Sequence, residues 1–385
     1  MVCARTASAP LLAAALVAAL AVACSLVSGA YAAAEQEAAG AGGNDLRLRQ
    51  PPITRGLSFD FYKRSCPMAE SIVRDFVRDA VRKDVGLAAG LLRLHFHNCF
   101  IQGCGRARVM HACRAATGPG EQRAPPNLTL RPSAFKAIND IRDRLERECR
   151  GAVVSCSDIL TLAARDSVVA TGGPEYRVPL GRHDSPRFAT PQDVLSGLPA
   201  TTSAVPSLLD VFHNHSLHLD ATDLVALPGG HTVGLGHCVS FEVEFPQAVD
   251  PTMSPDFLGR LKRTCPAKGT DARTRDVRTP DVFDNKYYVN LVNREGFFVS
   301  DQDLFTNEAT RPIVERFARS QRYFFNQFGV SMVKMGQIRV LTGDQGQVRR
   351  NCSARNPGSA DGNLGLQWSS LVQTVVDAAA ESLGF

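Results

Sequence analysis

The chain has 385 residues, enough for one large domain or two small ones, with an ordinary 44% hydrophobic and 21% charged residues. That balance permits a substantial core. The net charge of +5 comes from dispersed Lys and Arg; it does not mark a nucleic-acid-binding protein, and weak attraction to acidic polymers is the most it allows.

Taken from the start, residues 1–34 read as a secretory signal. Arg5 supplies a positive beginning, and Leu11 to Val27 an apolar stretch. Ala30-Tyr31-Ala32 and Ala32-Ala33-Ala34 offer small residues for cleavage. A retained anchor is the alternative, but the chain turns polar at Glu35 and no second apolar run of spanning length follows, so no membrane contact is expected after cleavage. Residues 35–55 are rich in Gly, Ala and charge and read as a mobile segment. Of the 11 Cys, Cys3 and Cys24 lie in the signal and nine remain. On an oxidising route that predicts disulfides plus one odd thiol, with the pairing left open by the residues themselves.

A helical pattern begins near Ser65, with Pro67 in its first turn and Ile72, Val73, Phe76, Val77 and Val81 at helical spacing. The next helix spans about Leu87 to Phe100. It carries Arg93 and His97 four residues apart, hence on one face, among Leu91, Leu92, Leu94 and Phe100. A guanidinium in apolar surroundings needs an anion or a ligand. Beside an imidazole it suits a site that takes a proton from a small acid and stabilises the anion left behind. A salt-bridged Arg and a hydrogen-bonded His in an ordinary core explain the pair equally well.

Pro132 to Arg150 is amphipathic through Phe135, Ile138, Ile141 and Leu145. Ser157 is the expected cap of a helix over Asp158 to Ala170, stopped by Gly172-Gly173-Pro174. Pro174 to Thr202 reads as loop. Leu208 to His215, Ala221 to Leu227, Asn285 to Glu295 and Thr310 to Met335 read as helices. Strand alternation is scarce, so the residues alone predict a large, mostly α domain. His231 ends an apolar helical run just after a Gly pair, in DLVALPGGHTVG.

Together RLHFHNCF and LPGGHTVG resemble the distal and proximal haem-facing helices of the secreted plant (class III) haem peroxidases. The resemblance runs from about Leu57 to Cys352. It implies a two-lobed helical fold over residues 56–352 with haem b between the lobes. It also implies the disulfides Cys66–Cys149, Cys99–Cys104, Cys156–Cys352 and Cys238–Cys265, leaving Cys113 over. The implied activity is the reduction of hydrogen peroxide and one-electron oxidation of small phenolic donors, by a monomer without nucleic-acid partners.

By the same resemblance His97 is the acid–base, Arg93 the charge stabiliser, and Asn127 in APPN the residue that holds the His97 tautomer. His231 is the axial iron ligand and Asp301 in FFVSDQDLF its carboxylate partner. Pro199 in SGLPA is the donor-site proline. A proximal Ca²⁺ is implied at Thr232, Asp276, Thr279, the Val282 carbonyl and Asp284. For the distal Ca²⁺ the family pattern D-C-F-V-x-G-C-D-A-S faces NCFIQGCGRA here. Asn98, the carbonyls of Ile101 and Gly103, and Glu121 remain, but Gly105 and Ala107 bring no side-chain ligand, and Arg106 and Arg108 add positive charge. A weak or absent distal Ca²⁺ is expected, with a slower enzyme rather than a different one.

Three sequons are present, at Asn127, Asn214 and Asn351; Asn214 is the expected glycan acceptor. Residues 353–385, which hold Trp368, read equally as a vacuolar sorting extension or a docked helix, so cell wall and vacuole are both open. Two further readings stand beside the active peroxidase. One is a haem-binding or cell-wall protein of this fold that lost turnover through the altered distal loop. The other is a disulfide-rich helical binding protein without cofactor.

Overall fold

The computed structural model describes residues 50–105, 124–151, 153–186, 189–216, 219–238, 252–265, 273–275, 278–354 and 356, all within the unit Arg49–Phe385. The signal, most of residues 353–385, Cys113 and Trp368 lie outside them. Residues 50–55, the end of the expected mobile segment, are tied down: the Thr54 amide donates to Gln337 Oε1 at 2.6 Å and the Thr342 hydroxyl to the Arg55 carbonyl at 3.1 Å.

The fold is mostly α. Helix α1 (Ala69–Lys83) buries Ile72, Val73, Val77 and Val81 on one side. It opens after Met68, so Pro67 stands before the helix rather than in its first turn. Helix α2 (Gly86–Gln102) carries almost no charge and is buried on most of its surface, which makes it a central helix. Helix α3 (Pro132–Glu148) buries Ile138, Ile141 and Leu145. Helix α4 (Cys156–Ala170) is buried nearly throughout. Its cap is Ser155, not Ser157: the Ser155 hydroxyl accepts from the Asp158 amide at 3.1 Å. Ser157 already lies inside the helix, where its amide is taken by Asp184 at 2.9 Å.

The expected loop from 174 to 202 contains helix α5 (Pro191–Gly197), started by a capping box between Thr190 and Asp193. Helices α6 (Val205–His215) and α7 (Ala221–Ala226) follow. A 3-10 turn, Leu227–Thr232, then carries His231. Strand β1 (Leu235–His237) pairs antiparallel with β2 (Arg273–Arg275), and α8 (Pro255–Thr264) lies between them in sequence. Helix α9 (Lys286–Val292) is shorter than its apolar pattern, and α10 (Val299–Thr306) was not legible as a helix. The stretch from Thr310 to Met335 is two helices, α11 (Arg311–Arg319) and α12 (Gln321–Met335). Ser320 breaks it by taking an extended conformation and capping the Tyr323 amide at 3.2 Å. Apolar residues continue on both sides of the break, which hides it from a periodicity reading.

The core has two main parts, and α2 and α4 divide them. Leu87, Leu91 and Leu94 of α2 and Ile159, Leu160 and Leu162 of α4 join the core of α1 and α3. Leu92 and Phe100 of α2 and Ala164 and Val168 of α4 join the core of the later helices. Truncating a fully buried residue such as Leu91 to Ala is worth about 2–5 kcal/mol. Disulfides join Cys66 to Cys149, Cys99 to Cys104, Cys156 to Cys352 and Cys238 to Cys265. The buried Asp158 anchors the start of α4: it takes the Arg182 guanidinium at 2.8 Å, the Tyr62 hydroxyl at 2.7 Å and the Gly181 amide at 2.7 Å. Such a pair is costly to break from one side because a charge is left buried.

Candidate active site

Helix α2 presents Arg93 and His97 on one face. The Arg93 Nε–H donates to His97 Nε2 at 3.3 Å. Nε2 must therefore carry the lone pair, and Nδ1 the proton, which it donates to Asn127 Oδ1 at 2.7 Å. Both bonds select the same tautomer. Asn127 sits at the end of a one-turn 3-10 helix, Pro125–Asn127. The same loop steadies the arginine: Arg93 donates to the carbonyls of Pro126 at 2.9 Å and Thr129 at 3.2 Å.

Burial, and then the charge of Arg93, lower His97 from 6.5 to about 3, against the Asn127 bond that raises it. Burial lowers Arg93 to about 10, which leaves it charged at neutral pH. The neighbouring His95 faces another way. It is fully buried beside the Cys99 sulfur and is lowered to about 3 by burial and by Arg182.

On the 3-10 turn, His231 Nδ1 donates to Asp301 Oδ1 at 3.0 Å. Burial pulls His231 down, but the Asp301 charge and hydrogen bond outweigh it, and the imidazole is raised. Its Nε2 has no hydrogen-bond partner among the described residues. The ring is deep in the protein, yet half of its side-chain surface meets open space. An imidazole that lines an internal space satisfies both. A Cβ on the adjacent Gly230 would have nothing within 4 Å, so the space continues there.

The two histidines sit on elements that touch. The 3-10 turn packs against α2, and a Cβ on Gly234 would come within 2.7 Å of the Ala89 Cβ. One open, unpartnered imidazole nitrogen, with a neutral imidazole and a guanidinium in the same region, is a donor set that fits haem.

Pro199 follows α5 and is half-buried. Its loop is tied to α10, which carries Asp301: the Ser300 amide donates to the Thr201 carbonyl at 2.9 Å. A Cβ on Gly197 would meet the Phe100 carbonyl at 2.7 Å, so α5 rests directly on the end of α2.

Three oxygen-bearing side chains converge below His231. The hydroxyls of Thr232 and Thr279 donate to the two Asp284 oxygens at 3.1 and 2.8 Å. Val282 lies beside them, its amide bonded to the Thr279 carbonyl. Asp276 lies outside the described residues. These oxygens fit a hard cation, although no group of three or more His, Cys, Asp or Glu placed to hold a metal occurs among the described residues.

At the far end of α2, Asn98 and Ile101 are buried, and Gly103 follows. Gly105 has φ +92°, and a Cβ there would lie 2.4 Å from the His183 carbonyl oxygen. Its own carbonyl accepts from the Ser185 amide at 2.7 Å. A carboxylate side chain has no room at this position. Glu121, Arg106, Ala107 and Arg108 lie outside the described residues.

One site residue escaped sequence reading. Tyr287 of α9 donates its hydroxyl to Asp301 Oδ1 at 2.7 Å. The available signal was a tyrosine pair at the start of an apolar helix, because a buried phenol needs a partner for its hydroxyl.

The peroxidase family profile matches residues 73–320. Among known proteins, the chain is similar to the cationic peroxidase SPC4 of Sorghum bicolor, 69% identical over 341 residues that cover 88% of this chain and 92% of that one. It is 54% identical to peroxidase 12 of Arabidopsis thaliana over 311 residues, covering 80% and 86%. It is 43% identical to peroxidase 66 of Zea mays over 297 residues, covering 77% and 89%.

Proposed function

The chain belongs to the peroxidase family, and from that premise we propose that His97, Arg93 and Asn127 form its peroxide-reacting side and His231 with Asp301 its iron-holding side. The protein is a haem peroxidase that reduces hydrogen peroxide and oxidises donor substrates.

His231, through its free Nε2, would hold the haem iron. Haem, when bound, stores the two oxidising equivalents that no side chain here can hold. Asp301 receives the His231 Nδ1 proton bond and raises the electron density the ring offers. The neutral His97 Nε2 takes the proton from the near peroxide oxygen and returns it to the far one, so that water leaves. Arg93 stabilises the negative charge that builds on the departing oxygen. Asn127 holds His97 in the tautomer this requires. Two phenolic molecules then each lose one electron and one proton, docked beside Pro199.

The observation that carries this reading is a pair of histidines with opposite Nδ1 partners: His97, whose Nδ1 donates to the Asn127 amide oxygen at 2.7 Å beside Arg93, and His231, whose Nδ1 donates to the buried Asp301 carboxylate at 3.0 Å. Peroxidases of this kind carry haem and calcium. Here Thr232, Asp276, Thr279, the Val282 carbonyl and Asp284 hold the proximal ion. The remaining distal set, Asn98, Ile101, Gly103 and Glu121, holds its ion weakly or not at all, because position 105 has no carboxylate. The family is a secreted one, and no helix among the described residues is long and apolar enough to cross a membrane. The residue ranges are a signal over 1–34, a leading segment over 35–55, the peroxidase domain over 56–352, and an extension over 353–385, either a vacuolar sorting extension or a docked helix.

The test is a stopped-flow absorption record of the haem-loaded protein mixed with one equivalent of H₂O₂. A rapid Soret change in the wild type that is lost in His97→Leu is the expected result. Equal rates in the two proteins would overturn the assignment of His97.

A further inference from the structure

We infer that Tyr287 is a positioning residue that limits how strongly Asp301 pulls on His231 and so holds up the reduction potential of the bound iron. This rests on the reading of His231 as the axial ligand.

Asp301 is 2% exposed, and a single oxygen of it serves two donors. Oδ1 accepts from His231 Nδ1 at 3.0 Å and from the Tyr287 hydroxyl at 2.7 Å. The shorter bond is the tyrosine's. Oδ2 accepts only the Phe298 amide at 3.4 Å among the described residues, a long contact. The oxygen has lone pairs for both strong donors, but they draw on one negative charge. Tyr287 therefore withholds from His231 part of the charge that Asp301 would otherwise lend. An axial histidine with more anionic character favours the oxidised metal and lowers the potential. The phenol acts in the opposite sense.

The arrangement is built in rather than incidental. Tyr287 is 5% exposed and its ring stands edge-on to His231, with centroids 5.9 Å apart. The next residue, Tyr288, donates to the Val225 and Ala226 carbonyls at 3.0 and 3.2 Å, which pins the end of α7 just before the turn that carries His231. At the start of the same stretch, the Lys286 amide donates to Asp284 Oδ1 at 2.8 Å. One short segment thus joins the oxygen cluster, the carboxylate and the helix end.

The experiment is spectroelectrochemical titration of the haem-loaded Tyr287→Phe protein against wild type, with resonance Raman of the ferrous iron–histidine stretch. The substitution removes one oxygen and leaves the ring. A more negative midpoint potential and a higher iron–histidine frequency are expected. An unchanged or more positive potential would overturn the inference. If Tyr287→Phe does not fold, site-specific 3,5-difluorotyrosine at 287 keeps the shape and strengthens the donor; a more positive potential supports the inference, and an unmoved one overturns it. The premise fails separately: a His231→Ala protein that retains haem with an unaltered spectrum removes His231 as ligand, and this inference falls with it.

Discussion

His97 and His231 are both enclosed by protein, and their surroundings drive them in opposite directions. At His97 burial and a neighbouring guanidinium act together, and the group at Nδ1 is a neutral amide, so the ring is held neutral down to about 3. At His231, which lines an open space, burial is outweighed by a carboxylate charge at hydrogen-bond distance, and the ring is raised. The difference teaches that the division of labour does not reside in the imidazoles. On the proposed reading it resides in which group faces Nδ1: an amide that leaves the ring electron-poor enough to exchange a proton, or a carboxylate that makes it a stronger ligand.

The largest way to break the contrast is to remove the proposed base. His97→Leu is expected to slow the reaction with H₂O₂ by about 10²–10⁴-fold, measured by stopped flow under pseudo-first-order peroxide. Arg93→Leu comes next, with a loss of about 10²–10³-fold. The same variant sharpens the comparison through pH. Wild-type His97 stays neutral until about pH 3; without the nearby charge its acid limb moves up toward the ordinary histidine value, read from the pH profile of the bimolecular rate. On the other side, Asp301→Asn is expected to weaken metal retention by about 10–100-fold and to raise the midpoint potential, measured by haem transfer to an apo-acceptor and by redox titration.

A smaller effect concerns stability. His95 and His97 are both lowered from 6.5 to about 3. As pH falls below 6.5 the unfolded chain takes up these protons and the folded one does not, so stability is full above 6.5 and is lost progressively toward 3. Each histidine contributes a slope of about 1.4 kcal/mol per pH unit in that window. Urea unfolding of wild type and His95→Gln at several pH values should show the slope fall by one such increment. The smallest expected change is at the oxygen cluster. Thr279→Ala loses one hydrogen bond to Asp284, worth on the order of 1 kcal/mol, and elemental analysis should show calcium lowered from about one ion per chain.

Much of this was readable from the residues. Arg93 and His97 four apart on an apolar helix stood out as residue types at a spacing, whereas the roles of His231 and of the oxygen-bearing run at 279–284 came only with the family resemblance. Boundaries were less legible. Ser155 rather than Ser157 caps α4 because Asp184, remote in sequence, takes the Ser157 amide. The break at Ser320 is a single extended residue between two apolar patterns. Helix α5 was lost to reading because its capping box lies in a stretch rich in Pro and Gly.

Sequence by itself determined the mostly helical make-up of the domain and most of its helices, since these depend on periodicity over a few residues, while the candidate reactive groups were marked by their motifs' resemblance to the family. Only the tertiary structure decided that Tyr287 and His231 share one oxygen of Asp301, that a main-chain carbonyl closes the space at Gly105, and that the carbonyls of Pro126 and Thr129 steady Arg93. Those outcomes turn on desolvation and on Coulomb interactions between atoms that are distant in the chain, and no local pattern encodes either.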